Sequence, residues 1–283
     1  MKNLEITTPL VSVSWLSRHL DHPDLIILDA TIKKITSNDT IKKPNVNIKN
    51  ARFFDIKHTF SDTNTDIPNM LSSPETFSEA CRALGISSHH KIVIYDKLGI
   101  YSSPRVWWMF KTMGHNAVAV LDGGLPSWQK AGLPCEPEEN SIKITASGNF
   151  EATLVPNLIQ DADAIVNAMN NNDILILDAR SPGRFTGIEP EPRKSLKGGH
   201  IPNSINLHYT KVLNNGKMLP TSELLEILKP FSIENKKLIF TCGSGITACI
   251  LMLASELVGY HKVSIYDGSW SEWGQLDGVP IEC

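Results

Sequence analysis

Apolar residues in this chain gather in short continuous runs more often than they alternate with polar ones. LIILDA (25–30), IVIYD (92–96), ILILDA (174–179), SINL (204–207), KLIFT (237–241) and KVSIYD (262–267) each have strand length and are rich in Ile, Val and Leu. Such runs suit strands covered on both faces, as in a parallel sheet. Helical spacing fills the gaps between them. TSELLEILKPF (221–231) opens on Thr221 and Ser222, which suit a helix cap, and spaces its apolar positions three or four apart. ITACILMLASELVGY (246–260) is almost wholly apolar, which predicts a helix starting near Ile246 and packed on the sheet.

The pattern occurs twice. LIILDA returns as ILILDA, and Gly114, Asp122, Gly123 and Trp128 return as Gly259, Asp267, Gly268 and Trp273, each pair 145 residues apart. The same offset aligns IVIYD with KLIFT. The expected fold is therefore α/β, with two tandem domains, each a mainly parallel sheet with helices on both faces. The expected boundaries are 1–138 for the first domain, 139–156 for a linker and 157–283 for the second. The linker is expected near LPCEPEENSIKITASGNF, which carries Pro134, Pro137 and a charge run without periodicity.

Composition narrows the function. The 283 residues hold 27 Lys plus Arg against 30 Asp plus Glu, a formal net charge of −3. Neither nucleic acid nor an anionic membrane is an expected partner, because both need a basic excess. No apolar run approaches the roughly 18 residues of a membrane span, and MKNLEITTPL lacks the basic-then-apolar order of a secretion signal. Five cysteines are scattered without a C-x-x-C pair, which is neither a disulfide framework nor a zinc site. A reducing, cytoplasmic compartment is expected, with no metal.

The chemistry is expected at TCGSGITAC (241–249). A strand ends at Thr241, a glycine-punctuated loop follows, and a buried helix begins. Cys242 thus stands at the carboxyl edge of the sheet, where ligands of open α/β sheets bind. The helix dipole and converging loop amides favour a thiolate there, and Gly243 and Gly245 allow the backbone to curl around it. Tyrosine-phosphatase chemistry needs an arginine six residues after the cysteine. That residue is Ala248, and the loop has no arginine. The other use of such a cysteine is sulfur transfer through a persulfide, and the alternative is that Cys242 is a small buried hydrophobe of the core.

These residues carry a family resemblance. CGSGITA resembles the active-site loop of 3-mercaptopyruvate sulfurtransferases, which are tandem-rhodanese enzymes. FFDI (53–56), SDTNTDIPNML (61–71), YSSPRVWWMF (101–110), LDGGLPSW (121–128), GRFTGIEPEPR (183–193), GHIPNSIN (199–206) and YDGSWSEW (266–273) resemble family segments in the same order. The resemblance covers nearly the whole chain. It implies two rhodanese domains, the second catalytic through Cys242 and the first silent. At the repeat offset Lys97 falls opposite Cys242, and KLGIYSS (97–103) has no nucleophile, so the first copy is expected to wall the cleft.

By the same resemblance Arg184 and Arg193 bind the donor's carboxylate. Arg105, in YSSPRVWW, is a candidate for lining the cleft, with a structural ion pair at a helix start as the alternative. Gly243, Gly245, Ile246 and Thr247 belong to the donor-binding loop. Family members of the thiosulfate branch carry basic residues after the cysteine, whereas Gly243 and Ser244 are neutral. The expected donor is therefore 3-mercaptopyruvate, with thiosulfate as the alternative. From a different class, a non-catalytic sulfur-carrying module is the other alternative. In the family the serine at Ser244 is proposed to work with a His and an Asp of the first domain. Asp62 matches the Asp, but the His position reads Asn69, and an amide cannot relay a proton.

No organic cofactor is implied. The expected partners are a small-molecule sulfur donor and a thiol, cyanide or thioredoxin-like acceptor, and the expected state is a monomer. His200 is expected to hydrogen-bond locally, and Cys249 to pack in the core. Trp107, Trp108, Trp270 and Trp273 are expected as core and interdomain contacts. Asp178 is expected to fix neighbouring loops.

Overall fold

The computed structural model describes residues 4–34, 45–138, 144–231, 233 and 236–283. Two compact units emerge. The first comprises Met1–Asp62, Ser72–Val155 and Asn215–Met218, and the second Thr63–Leu71, Pro156–Asn214 and Leu219–Cys283.

The first unit holds a five-stranded sheet in the order Leu10–Val11, Val118–Leu121, Lys91–Tyr95, Leu25–Asp29, Ala51–Phe53, with every neighbouring pair parallel. The second repeats that order as Ile159–Gln160, Val263–Tyr266, Lys237–Thr241, Ile174–Asp178, Ile205–Asn206, again all parallel. The continuous apolar runs occupy the central strands, which are buried along nearly their whole length. Trp128 and Tyr95 anchor one core, and Trp270, Trp273 and Tyr266 the other. The duplicated α/β architecture expected from the pattern is present.

Local chemistry sets the helix ends. Ser73 accepts the N–H of Thr76 and precedes a proline in the first turn of Pro74–Ala83. The helix Thr221–Leu228 differs from expectation. Pro220 takes the cap position and no side chain caps the helix, because Thr221 already lies inside it. The apolar helix runs over Ala248–Leu257, and eight of its residues, Ala248 to Ser255, are buried.

Residues 149–155 of the expected linker pack on the first unit. The N–H groups of Phe150, Thr153 and Val155 bond the carbonyls of Ile86, Met113 and Thr112. Residues 139–143 of that linker lie outside the described residues. Two short segments also group with the opposite unit: Thr63–Leu71 with the second, Asn215–Met218 with the first. No run of apolar residues announced either exchange.

The strand registers correct the repeat alignment by one residue. Val118 and Val263 correspond, and their sheet partners are Ile92 and Leu238. Asp29 pairs with Tyr95, and Asp178 with Thr241. Asp96, not Lys97, therefore holds the position of Cys242. The helices Ser103–Thr112 and Ala248–Leu257 correspond at the original offset, so the first loop is one residue longer. A fixed offset read along the sequence cannot see an insertion confined to a loop.

Candidate active site

Cys242 follows the strand Lys237–Thr241 directly, and its loop leads into the helix Ala248–Leu257. The residue is 1% exposed. The segment after the neighbouring strand clamps this loop. Ser269 Oγ accepts the N–H groups of Cys242 and Gly245, each at 3.2 Å, and donates to the Tyr266 carbonyl at 2.8 Å. The carbonyls of Cys242 and Gly243 accept the N–H groups of Trp270 and Ser271, each at 2.9 Å. Gly245 turns with φ of 73°, a conformation that glycine adopts at little cost.

The first unit shows what such a loop does with its remaining amides. Asp96 is wholly buried, and its Oδ2 accepts the N–H groups of Tyr101, Ser102 and Ser103 at 2.9–3.0 Å and the Ser103 hydroxyl at 2.7 Å. Its Oδ1 accepts Leu98 N–H at 2.9 Å. The loop is an anion cradle filled by its own carboxylate. Counted back from the matching helices, the corresponding amides belong to Ile246, Thr247 and Ala248. These donate to no protein acceptor among the described residues. At the place of Asp96 stands Cys242.

Arg184, on the short helix Pro182–Phe185, reaches the same loop. A Cβ added at Gly243 would come within 2.9 Å of its Nη2, so a side chain there would displace the guanidinium. Glu191 holds that guanidinium through Nε at 3.1 Å and Nη2 at 2.5 Å. Nη1 has no protein acceptor among the described residues. Glu191 also takes Arg180 Nη1 at 2.8 Å. Arg180 is bound to Asp178, donates to the Gly199 carbonyl at 2.8 Å, and lies 4.1 Å over the Trp270 ring. A chain of buried charges, Asp178–Arg180–Glu191, thus fixes the half-buried Arg184 from behind.

Arg193 joins them from the other side, donating from Nη1 to Ser271 Oγ at 2.9 Å, while that hydroxyl donates to the Gly243 carbonyl at 2.5 Å. Burial, and then the positive charge of Arg184, hold the Arg193 guanidinium below its ordinary pKa, with Glu191 opposing. His208 is held down by burial first and then by the charges of Lys211 and Arg184, Glu189 opposing. Two mutually repelling guanidiniums beside a loop with open amides make an anion-binding corner. Ser244 closes it. The Asn69 side chain, brought by the segment Thr63–Leu71, donates from Nδ2 to Ser244 Oγ at 3.0 Å and to the Ser244 carbonyl at 3.2 Å.

The model of the rhodanese-like domain matches residues 12–131 and again 161–276. The chain belongs to the rhodanese family. It lies in the tandem-domain sulfurtransferase branch. It is 36% identical over 280 residues to the 3-mercaptopyruvate sulfurtransferase of Escherichia coli K12, covering 98% of each chain. It is 36% identical over 302 residues to thiosulfate/3-mercaptopyruvate sulfurtransferase 1, mitochondrial, of Arabidopsis thaliana, covering 99% of this chain and 79% of that one. The crystal structure of SseA from Escherichia coli, described as a 3-mercaptopyruvate sulfotransferase, superposes with a TM-score of 0.82 at 34% identity. It covers 94% of this chain and 100% of SseA. The rhodanese fold of both units agrees with that match.

Of the residues singled out in the sequence, Cys242, Gly243, Ser244, Gly245, Ile246, Thr247, Arg184 and Arg193 meet within the second unit. Asp62 and Arg105 belong to the first. Arg105 is wholly buried, with its guanidinium 4.3 Å over the Trp108 ring. His200 bonds the Phe185 carbonyl at 2.8 Å and stacks on that ring. Cys249 is buried and donates from Sγ to the Gly245 carbonyl at 3.2 Å. Trp107, Trp108, Trp270 and Trp273 are buried, and Asp178 holds Arg180.

Sequence reasoning missed Ser269, Ser271, Glu191 and Arg180. Glu191 had a signal, an acid set between two arginines in GRFTGIEPEPR. Ser269 sits at φ of 51° in a motif quoted for its glycine and tryptophans, and nothing in its type announced an acceptor for two amides. Among the described residues no group of three His, Cys, Asp or Glu side chains could hold a metal ion, and no helix is long and apolar enough to cross a membrane.

Proposed function

We propose that the chain moves sulfur from 3-mercaptopyruvate through a persulfide on Cys242 to an acceptor. The observation that carries this reading is the pair of loops: one amide cradle filled by Asp96, the other open around Cys242 with Arg184 against Gly243. The Cys242 thiolate attacks the donor's sulfur. The carbon–sulfur bond breaks, and its electron pair becomes the enolate of pyruvate. The proton that the donor's sulfur carried leaves the new persulfide and ends on the enolate carbon, so the step needs no outside base. The amides of Ile246, Thr247 and Ala248 hold the anionic sulfur, and Arg184 Nη1 and Arg193 receive the donor's carboxylate.

An acceptor thiol or cyanide then attacks the outer sulfur and frees the Cys242 thiolate. A thioredoxin-like protein is the proposed macromolecular acceptor, the proposed state is a monomer, and the proposed compartment is the cytoplasm. Arg105 is proposed to act through its place on Trp108 and not through the donor, and Asp62 through the first unit. Thiosulfate is the second reading, since a relative's name covers both donors. The neutral loop favours mercaptopyruvate, because a dianion is better met by added positive charge. Mass spectrometry of the protein after incubation with each donor separates the readings. Gain of one sulfur atom on Cys242 with mercaptopyruvate is the expected result. A gain with thiosulfate alone overturns the donor, and no gain with either overturns the catalytic reading.

A further inference from the structure

Ser244 stands two residues past the nucleophile, is 6% exposed, and carries a hydroxyl whose direction matters to the step above. The structure supplies one partner of that hydroxyl. Asn69 faces both the carbonyl oxygen and the hydroxyl of Ser244 with a single nitrogen. A carbonyl oxygen can only accept, so the group turned toward Ser244 is the amide NH2. The hydroxyl oxygen therefore accepts from Asn69, and its own proton must point elsewhere. Among the described residues it meets no acceptor.

The contact is built and not incidental. Asn69 is 7% exposed and sits at φ of 64°, in the left-handed region that asparagine tolerates better than most residues. Two residues on, Leu71 N–H donates to Asp267 Oδ2 at 2.7 Å, where Asp267 closes the strand Val263–Tyr266. The segment Thr63–Leu71 is thus pinned at two points beside the clamp that shapes the cysteine loop.

We propose that Asn69 is a positioning residue that makes Ser244 a fixed one-way donor, aimed at the oxygen that becomes negative when pyruvate leaves as its enolate. This rests on the mercaptopyruvate reading. An amide neither gains nor loses a proton over the working pH range, so the arrangement holds the Ser244 proton outward at every pH. It stabilises charge and carries no proton. The proton balance of the step agrees, because the donor's own thiol proton reaches the enolate carbon.

The test is a kinetic cycle with 3-mercaptopyruvate on Asn69→Gly, Ser244→Ala and their combination, after each is shown to load sulfur on Cys242 by mass. Glycine keeps the left-handed backbone without strain, so the variant retains the fold. Removing one donor to a developing oxyanion costs about 10²–10³ in kcat. Ser244→Ala should fall in that range. Asn69→Gly should lose about ten- to a hundredfold in kcat with KM within about threefold. The double variant should be no slower than Ser244→Ala, because both remove one function. Asn69→His should stay within about tenfold of the parent in kcat/KM and acquire a new limb near pH ~6.5, where imidazole titrates. Parental kcat in Asn69→Gly overturns the proposal, as do losses that multiply in the double variant. A parent that does not load sulfur from mercaptopyruvate overturns instead the reading beneath it.

Discussion

Asp96→Asn measures how strongly a loop of this kind holds an anion. The wholly buried carboxylate accepts five hydrogen bonds, four at Oδ2 and one at Oδ1. An amide of the same shape has one oxygen. Turned toward Tyr101, Ser102 and Ser103, it sets an NH2 against Leu98 N–H and strands that donor, at a cost of about 1–3 kcal/mol. The other four bonds survive without charge assistance. Bonds to an ionised acceptor contribute about 1.5–3 kcal/mol against about 1 for neutral ones, so roughly 2–4 kcal/mol more is lost. Relief comes from burying no charge at that position, and from Asp29, whose carboxyl is pushed up first by burial and in smaller part by Asp96. The net expectation is a loss of about 2–5 kcal/mol. Chemical denaturation at pH 7 reads it as a lower midpoint at unchanged slope, and thermal melting as a fall of about 5–15 °C. Asp122→Asn is the control, since one N–H, that of Met218 at 3.0 Å, bonds its Oδ1. That change should cost no more than about 1 kcal/mol. If Asp96→Asn costs less than about 1 kcal/mol, or no more than the control, the first loop is not an anion cradle. The inference from it to the Cys242 loop then falls.

Three further outcomes are expected. Cys242→Ser should abolish sulfur loading and turnover, while Cys249→Ser should keep most of both, because a serine hydroxyl can replace the bond to the Gly245 carbonyl; substantial turnover by Cys242→Ser refutes the assignment. Arg184→Ala and Arg193→Ala should each lose about 2–4 kcal/mol of transition-state binding, roughly 30- to 1000-fold in kcat/KM with mercaptopyruvate; a change within about twofold makes that arginine a bystander. Burial, first among the causes, lowers the imidazoles of His115 and His90 to about 4. The unfolded chain then binds protons that the folded chain refuses, so stability is full above about pH 6.5 and falls as the pH drops toward 4. His115, the more buried, contributes up to about 3 kcal/mol to that fall. A denaturation midpoint that stays flat between pH 7 and 4.5 refutes this.

The pattern of apolar runs was enough for the α/β class, the duplication and the placement of Cys242 between a strand and a helix. Those features depend on local periodicity, which each segment of sequence carries within itself. Arg184 and Arg193 were legible through a motif, and Gly245 through its residue type. The alignment of the two copies was legible only to within one residue. The extra position lies inside the loop 97–102, and hydrogen-bond register in the sheets is what exposes it.

Tertiary structure alone decided the rest. The clamp of Ser269 and Ser271 on the cysteine loop joins neighbouring strands whose ends are far apart in sequence. The buried charges behind Arg184 need Asp178, Glu191 and Arg180 in one place, and no spacing rule links them. Asn69 reads in the sequence as a lost imidazole. In the fold its Nδ2 donates to the Ser244 hydroxyl oxygen and carbonyl. The physical reason is the same in each case. A hydrogen bond depends on where two groups end up after the chain has folded, and the sequence records only what each group can give or accept.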